Sequence, residues 1–335
     1  MAAGVSRATA SRVFTDSPRV SDQARRAVER AAHRLGYVPN RAARSLRTGR
    51  TGSVALVIPE PTPRLFGDPH FARVVRGVSE GLSAEDLQLV LLAPQSAADE
   101  QRLERYLAAG HVDGALLISL HGHDPLPARL VARGLPVVIG GRPPVEGSVS
   151  HVDVDNVGGA LAAVRHLVDQ GRRLVATITG PLDMPAAQDR LEGYREALRR
   201  SGVAPAEGLE EPGDFSHESG IEAARALLER RPDLDALFAA SDLMAAGALQ
   251  VLRETGRRVP DDVAVVGFDD SPFAASTVPP LSSVRQPIEE WGREMTRLLL
   301  TAIESRQLVT RRVVLSTELV VRESSVGGAG RGGGS

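Results

Sequence analysis

Near its start the chain reads GVSRATASRVF over residues 4–14, a turn that leads into a short helix. Ser6 can accept hydrogen bonds from the free N–H groups of the first helical turn, and Val13 gives the helix an apolar side. A second amphipathic helix is predicted over residues 21–35, and Gly36 is placed to end it. Two short helices in close succession predict a small helical head ahead of a much larger body.

Charge separates this head from the body. Residues 1–50 hold 11 Arg and 3 acidic residues, a net charge of +8, whereas the rest of the chain holds 29 Arg and 39 acidic residues, a net charge of −10. All 40 basic residues are Arg, a bias that we attribute to a GC-rich genome and not to chemistry. Because a basic surface gains affinity for a polyanion with each phosphate that it neutralises, the head is predicted to bind nucleic acid.

Composition excludes several classes of protein. An apolar content of 42% and a charged content of 24% over 335 residues are typical of a soluble protein with more than one domain. No stretch approaches the roughly 18 uncharged apolar residues of a membrane span, and the N-terminus runs into arginines where an exported protein has an apolar core. The absence of Cys excludes disulfides, thiolate metal sites and a Cys nucleophile. We therefore expect a cytoplasmic protein without membrane contact, metal or cofactor.

From residue 53 onward, strand and helix patterns alternate, which is typical of parallel sheets with helices on both faces. Two runs of such units, divided near residue 150, predict two lobes with a ligand cleft beyond the carboxyl ends of the strands. The predicted strands are Val54–Ile58, Leu87–Leu92, Ala115–Ser119, Val137–Ile139, Leu174–Ile178, Ala236–Ala239, Val263–Phe268, Arg311–Ser316 and Glu318–Arg322. The predicted helices are 71–84, 97–109, 125–133, 157–170, 189–201, 217–230, 243–255 and 287–306.

Several short motifs occur in an order that resembles the LacI/GalR (lactose-repressor) family of bacterial transcription regulators. Each motif is weak alone, but their order and spacing together are specific, and the resemblance extends from Gly4 to about Arg322. It implies a helix-turn-helix head, a hinge helix, and a two-lobed periplasmic-binding-protein-like body that dimerises and senses a small molecule. The motifs are GVS at 4–6, SRV at 11–13, YVPN at 37–40, DN at 155–156, RLEGY at 190–194, SD at 241–242 and GFDD at 267–270.

The resemblance also implies how the chain divides. Members normally carry a further helix before the position of Gly4, where only three residues stand here. We therefore expect the natural start to lie upstream, and a head as short as this one to fold loosely and to bind DNA poorly. The expected division is a helix-turn-helix head at 1–38, a hinge helix and linker at 39–52, a first lobe at 53–150 with about 283–308, a second lobe at 151–282 with about 309–323, and a disordered Gly-rich tail at 324–335.

The head carries the predicted DNA contacts. In a helix-turn-helix the second helix lies in the major groove, and its first residues meet the base edges. The helix that begins at Ser6 takes that place here, so Arg7 and Ala8 should face bases, and Arg7 can donate two hydrogen bonds to guanine. A basic surface helix without a DNA role is the alternative. The expected contacts are Ser6, Arg7, Ala8, Ser11, Arg12 and Arg19.

The hinge carries a second predicted DNA contact. In similar proteins the hinge folds on DNA, and a leucine from each subunit wedges into a minor-groove step and kinks the duplex. Leu46 matches that leucine, and Asn40 and Ala43 would line the groove. The alternative is that Leu46 is an ordinary core residue.

The cleft is expected to bind a sugar. A sugar needs donors and acceptors for pairs of hydroxyl groups and a flat apolar face for its C–H side. Arg190 matches the ligand-clamping arginine of the family and Asp269 its hydroxyl-accepting carboxylate, whereas Asp242 is predicted to cap the next helix. Ser241 stands where Asn is common and Gly140–Arg142 where an Asp usually precedes the Arg, which favours a larger ligand such as an oligosaccharide. The expected effector contacts are Asp68, Phe71, Arg190, Phe215, Ser241, Asp269 and Trp291.

Two other classes of function fit the sequence less well. An enzyme is disfavoured because no G-x-G-x-x-G follows a strand, no P-loop lysine exists, and H-E-x-x-H is absent. His121 and His123 lack carboxylates at suitable spacing and are predicted to be solvated. An exported sugar-binding protein would need a signal segment and would lack the basic hinge. We expect a homodimeric repressor of carbohydrate-uptake or catabolism genes that binds palindromic operator DNA and responds to a sugar effector, with the sign of that response left open.

Overall fold

The computed structural model describes residues 2–14, 19–37, 49–143, 149–203, 207–305 and 310–326. Of the predicted DNA contacts, Asn40, Ala43 and Leu46 in the hinge lie outside these ranges, as does most of the predicted Gly-rich tail. Among the helices in these ranges, none is both long enough and apolar enough to cross a membrane.

The head consists of two helices, α1 (Arg7–Val13) and α2 (Asp22–Leu35). Ser6 and Ser21 each accept a hydrogen bond from the backbone N–H three residues further on, at 3.0 and 3.3 Å, and so cap the two helices. Gly36 ends α2 with a φ of 61°, a left-handed conformation that glycine adopts without a steric penalty. The start of α1 and both limits of α2 agree with the sequence prediction. Among the described residues of the head, the buried side chains are Val13, Val28 and Ala31.

The first lobe contains a six-stranded sheet in which all paired strands run parallel. Its strands are β1 (Ser53–Val57), β2 (Gln88–Leu92), β3 (Gly114–Leu117), β4 (Val137–Gly140), β5 (Ser150–Val154) and β11 (Arg312–Leu315). In space they follow the order β11-β5-β4-β3-β1-β2. The helices of this lobe are α3 (Thr62–Gly67), α4 (Pro69–Ser83), α5 (Ala97–Ala108), α6 (Leu126–Ala132) and α11 (Ile288–Ser305). Because they cover the sheet, central strands such as β3 are buried throughout.

The second lobe repeats this architecture. Its strands are β6 (Val175–Thr179), β7 (Glu210–Pro212), β8 (Ala236–Ala239), β9 (Ala264–Asp269), β10 (Ser282–Arg285) and β12 (Glu318–Val320). Their order is β12-β10-β9-β8-β6-β7, with β12 antiparallel to β10 and the other pairs parallel. Its helices are α7 (Asn156–Asp169), α8 (Pro185–Arg200), α9 (His217–Arg230) and α10 (Asp242–Glu254).

The boundary between the lobes differs from the sequence prediction. β5 pairs with β4 in the first sheet, so the first lobe extends to Val154 and does not end at residue 150. β11 also belongs to the first sheet, although the range 309–323 was assigned to the second lobe, and β10 lies wholly in the second. The physical reason is that β5 carries His151 and Asp153 between its apolar residues. It therefore lacks the continuous apolar run by which buried strands were identified.

The chain crosses between the lobes three times, after β5, after β10 and after β11. The hydroxyl of Thr317 donates to the carbonyl oxygen of Asp155 at 3.1 Å and so joins the first and third crossings. The strands β5, β10 and β11 each lead into a crossing with their carboxyl ends. The carboxyl edges of the two sheets therefore lie on either side of the crossings and face each other. This arrangement places a cleft between them.

Candidate functional site

A cavity of about 110 Å³ lies between the facing edges of the two sheets. Its walls bring together all seven residues that were predicted as effector contacts, namely Asp68, Phe71, Arg190, Phe215, Ser241, Asp269 and Trp291. Twelve further wall residues were not among the predicted contacts: Arg64, His70, Ile118, Ser119, Gly140, Gly141, Asp153, Val154, Asn156, Met184, Ala186 and Gln286. Both lobes therefore contribute to a single site.

Arg190 is held on helix α8 by contacts to three other elements. Its Nε donates to Oδ1 of Asn156 at 2.9 Å and its Nη1 donates to the carbonyl oxygen of Ala240 at 2.6 Å. Nη1 also lies 3.9 Å from Oδ1 of Asp269. The guanidinium carbon is 3.9 Å from the centre of the Phe268 ring, a distance at which a cation is attracted to the ring face. These contacts fix the direction of a buried cation in the wall of the cavity.

Burial raises the pKa of three wall carboxyl groups, those of Asp68, Asp153 and Asp269. Burial raises the pKa of Asp269 to about 7, although the charge of Arg190 opposes the rise. Oδ1 of Asp269 accepts a hydrogen bond from Nε2 of Gln286 at 2.5 Å. Burial likewise raises the pKa of Asp153 to about 6, although the backbone N–H of Val154 donates to it at 2.8 Å. Near neutral pH the cavity therefore carries less negative charge than its acidic residues indicate.

Aromatic rings from both lobes line the cavity. The indole of Trp291 donates from Nε1 to the carbonyl oxygen of Val152 at 2.7 Å, which fixes the orientation of its ring. The His70 ring lies 5.9 Å from the Trp291 ring and 5.4 Å from the Phe71 ring, between centroids. Burial, with the charges of the neighbouring arginines, lowers the pKa of His70 to about 3, so this ring is neutral at pH 7. Phe215 faces these groups from the second lobe, in the left-handed region at a φ of 71°.

Ser241, and not Asp242, caps helix α10. The Ser241 hydroxyl accepts from the N–H of Met244 at 3.2 Å and donates to the carbonyl oxygen of Phe215 at 3.3 Å. Asp242 is fully buried, and its carboxyl group accepts from the N–H of Ser271 at 2.6 Å and from a neighbouring serine hydroxyl at 2.5 Å. The prediction that Asp242 is the cap was wrong because the serine before it has the extended backbone that a cap requires.

Arg64, which was not predicted, lies on helix α3 and reaches both lobes. Its Nη1 lies 3.0 Å from Oε2 of Glu60 in an ion pair. Its guanidinium carbon lies 6.0 Å from the centre of the Phe71 ring and 5.3 Å from that of Phe215. The sequence signal was weak because α3 is only six residues long and has Pro63 in its first turn.

Two further contacts cross between the lobes at the rim of the cleft. Arg142, in the loop after β4, donates from Nη2 to Oδ1 of Asp189 on α8 at 2.7 Å. His121 has Nδ1 at 2.9 Å from Oδ2 of Asp183 in the second lobe and Nε2 at 3.5 Å from Oε1 of Glu60 in the first. The prediction that His121 lacks carboxylate partners was wrong, because both partners lie about 60 positions away in the sequence. Within the described ranges, no three His, Asp or Glu side chains converge in a way that could hold a metal ion.

The six predicted DNA contacts of the head all lie within the described ranges and are exposed to solvent. The first of them, Ser6, caps α1. Arg7 and Ala8 begin this helix, as the prediction requires for residues that face base edges. These residues are Ser6, Arg7, Ala8, Ser11, Arg12 and Arg19.

Two family models match the chain. One is described as "Bacterial regulatory proteins, lacI family" and matches residues 1–40, which contain the two helices of the head. The other is described as "Periplasmic binding protein-like domain" and matches residues 164–325, which include most of the second lobe.

Similar proteins and structures align with nearly the whole chain. The regulator CelR of Thermobifida fusca is 53% identical over 324 residues, which cover 96% of this chain and 95% of that protein. The ribose operon repressor of Escherichia coli strain K12 is 34% identical and covers 96% of this chain and 97% of its own length.

Among solved structures, a CelR–cellobiose complex has a TM-score of 0.80 at 51% identity and covers 96% of this chain and 97% of its own. A lac repressor dimer bound to operator and an anti-inducer has a TM-score of 0.84 at 25% identity, with coverage of 97% and 96%. The head, the two parallel-sheet lobes and these full-length matches agree. The chain belongs to the lacI family of bacterial regulatory proteins.

Proposed function

We propose that this protein represses genes of carbohydrate uptake or catabolism and that an oligosaccharide such as cellobiose releases it from operator DNA. The observation that carries the proposal is the cavity between the lobes, where guanidinium groups, carboxyl groups and aromatic rings surround one space. The similarity to the CelR–cellobiose complex supports this choice of effector. As in its regulator relatives, the protein would work by binding and not by catalysis.

The chemistry of the cavity suits a neutral sugar. Arg190 can donate to a pair of hydroxyl groups and Asp269 can accept from them, while Trp291 and Phe215 offer apolar faces for the C–H side of a ring. The pKa values of Asp269 and Asp153 are raised to about 7 and about 6, so these two groups carry less negative charge near neutral pH. A neutral ligand therefore has less strongly bound water to displace when it enters the cavity. A cationic effector has less to gain from such a site.

The DNA-binding part of the proposal rests on the head. The exposed start of α1 presents Arg7 for the major groove, and the first fifty residues carry a net charge of +8. We propose that a cytoplasmic homodimer binds a palindromic operator, which the lac repressor dimer on its operator supports. Leu46 of the hinge would enter the minor groove, with Asn40 and Ala43 beside it; these three residues lie outside the described ranges.

The two activities are coupled through the crossings between the lobes. Arg190 donates to Asn156, which directly follows the first crossing, and Asp269 accepts from Gln286, which lies in the second. An effector that contacts Arg190 and Asp269 therefore acts on the segments about which the lobes move. If it binds the closed cleft more tightly than the open one, it shifts the arrangement of the first lobes in the dimer and with it the affinity for DNA.

The proposal is tested with duplexes selected by this protein from a random library. Fluorescence anisotropy should show preferential binding to a palindromic duplex, and cellobiose should weaken that binding. Arg190→Ala should keep the duplex affinity and lose about 10- to 100-fold in cellobiose affinity, because it loses charged hydrogen bonds. Failure to select any duplex over random DNA, or a normal cellobiose response of Arg190→Ala, contradicts the proposal. A solute-binding protein would bind cellobiose without binding a duplex, and an enzyme would convert the sugar, which chromatography detects.

A further inference from the structure

Arg64 has a buried donor that nothing in the described chain satisfies. Among the residues that the structure describes, its Nε is the one buried side-chain nitrogen or oxygen atom without a hydrogen-bond partner. Buried polar groups are nearly always paired, because an unpaired one loses its hydration and gains nothing in return. Arg64 also lines the cavity between the lobes. A ligand in this cavity can therefore supply the acceptor that the Nε–H of Arg64 lacks.

The contacts of Arg64 hold its guanidinium in place. Glu60, which is 2% exposed, accepts from Nη1 of Arg64 at 3.0 Å and also from the hydroxyl of Ser119. The Phe71 ring of the first lobe and the Phe215 ring of the second lie against the guanidinium. A planar group that is fixed on one edge and flanked by rings presents its remaining N–H in one direction.

We propose that the Nε–H of Arg64 donates a hydrogen bond to an oxygen atom of the effector and that Arg64 thereby determines specificity. This inference rests on the proposed function, since it assumes that the cavity is the effector site. A hydroxyl or a bridging oxygen can accept the bond, whereas a ligand without an oxygen at that place leaves the donor buried and unpaired. A site that forms a hydrogen bond with one polar atom of its ligand discriminates strongly against analogues that lack this atom. An apolar pocket discriminates much less between ligands that differ by one methylene group.

The contact also depends on closure of the cleft. Arg64 belongs to the first lobe, and Phe215, the nearer of its two rings, belongs to the second. An effector oxygen bonded to Nε is therefore recognised in the arrangement in which both lobes contact Arg64. Recognition of that oxygen atom therefore occurs when the cleft closes around the ligand.

The test is calorimetric titration of the full chain with cellobiose. Arg64→Lys keeps the positive charge and can still pair with Glu60, but it has no Nε–H. Arg142→Lys is the matched control, because Arg142 also crosses between the lobes to a carboxylate, Asp189, but does not line the cavity. Arg64→Lys should weaken binding about 10- to 100-fold, as expected for a lost charged hydrogen bond. Arg142→Lys should lose at most about fivefold, as expected for an ion pair between partly exposed side chains.

A second measurement does not depend on how the variants fold. The wild-type protein is titrated with the monodeoxy-cellobioses and with thiocellobiose, in which sulfur replaces the bridging oxygen. One analogue should lose about as much affinity for the wild type as Arg64→Lys loses for cellobiose, and that analogue should lose nothing more on Arg64→Lys.

The outcomes separate the two proposals. Cellobiose binding by Arg64→Lys within threefold of the wild type overturns the inference, and so does an equal loss in Arg142→Lys, which would indicate a general effect on closure. The inference also fails if every analogue binds the wild type as cellobiose does. If the wild-type protein binds neither cellobiose nor other oligosaccharides, the proposed function itself fails and the inference falls with it.

Discussion

Protonation of His121 should tighten effector binding, because its ring lies between carboxylates of the two lobes. Nδ1 is 2.9 Å from Asp183 and Nε2 is 3.5 Å from Glu60. A neutral imidazole has one N–H and can donate to only one of them, whereas the protonated ring donates to both. The hydrogen bond with Glu60, followed by that with Asp183, accordingly raises the pKa of His121 above its ordinary 6.5, although burial opposes the rise.

The sign of the pH dependence follows from this raised pKa. When the lobes separate, Asp183 leaves His121, so the closed cleft holds the proton more tightly than the open one. Below the pKa of the open form the ring is charged in both forms and the stabilisation of the closed form is complete. It is lost as the pH rises through the higher pKa of the closed form. Effector affinity should therefore fall as the pH rises above the ordinary imidazole pKa of about 6.5 and through the higher pKa of the closed form.

The exposure of the two side chains limits the magnitude. The Asp183 side chain is 52% exposed and that of His121 is 37% exposed, so water screens the contact that crosses between the lobes. Pairs of this kind contribute about 0.2–1 kcal/mol. Since 1.4 kcal/mol corresponds to a tenfold change in Kd, the expected effect is at most about fivefold.

Titrations with cellobiose at several pH values check this prediction. Trp291 is the only tryptophan of the chain and lines the cavity, so its fluorescence can report binding. His121→Gln should lose the part of the pH dependence that the wild type owes to His121, while His123→Gln, in the same loop, should keep it. The titrations of Asp153 and Asp269 are shared by all three proteins and cancel in the comparison. If His121→Gln and the wild type have the same pH profile, the reasoning is wrong.

Three further outcomes are expected. In Gly180→Ala the new Cβ would overlap the Phe215 ring, so urea unfolding should show a loss of about 1–3 kcal/mol, whereas Gly67→Ala, which faces open space, should change stability by less than about 0.5 kcal/mol. Burial raises the pKa of Asp153 to about 6, so the folded state holds this proton more tightly than the unfolded state. Titration of Asp153 alone should lower the stability by up to about 3 kcal/mol between pH 4 and pH 8, so Asp153→Asn should lose less stability than the wild type over this range, and an unchanged pH dependence would contradict this. Arg7→Ala should reduce the preference for the selected duplex by about 1–3 kcal/mol in anisotropy titrations, and an equal loss on all duplexes would instead identify a phosphate contact.

Most of the fold could be predicted because its core strands are continuous apolar runs. The strand Ala236–Ala239 has the predicted limits, and its burial on both faces explains why the sequence signal is strong. The strand β5 was missed because His151 and Asp153 interrupt its apolar residues, and its place in the sheet depends on pairing with β11, far along the chain. The strand β7 was missed because its three residues, Glu210–Pro212, carry charge and a proline.

The site was predicted less completely than the fold. The resemblance to a family supplied the seven positions that the structure brings together around the cavity, and their roles remain predictions. Arg64 and His121 were beyond such reasoning, because their significance arises only when the lobes face each other. The partners Phe215 and Asp183 belong to the other lobe, and no periodicity in the sequence around Arg64 or His121 points to them.

The three crossings between the lobes mean that neither lobe is a continuous piece of the chain. A fragment that stopped near residue 155 would contain five strands of the first sheet but would lack β11 and the helix α11 that covers one face. Loss of that cover would leave a broad apolar surface open to water and to other chains. A nonsense mutation between codons 155 and 287 should therefore yield an aggregating product, and not a DNA-binding fragment that has only lost its response to the effector.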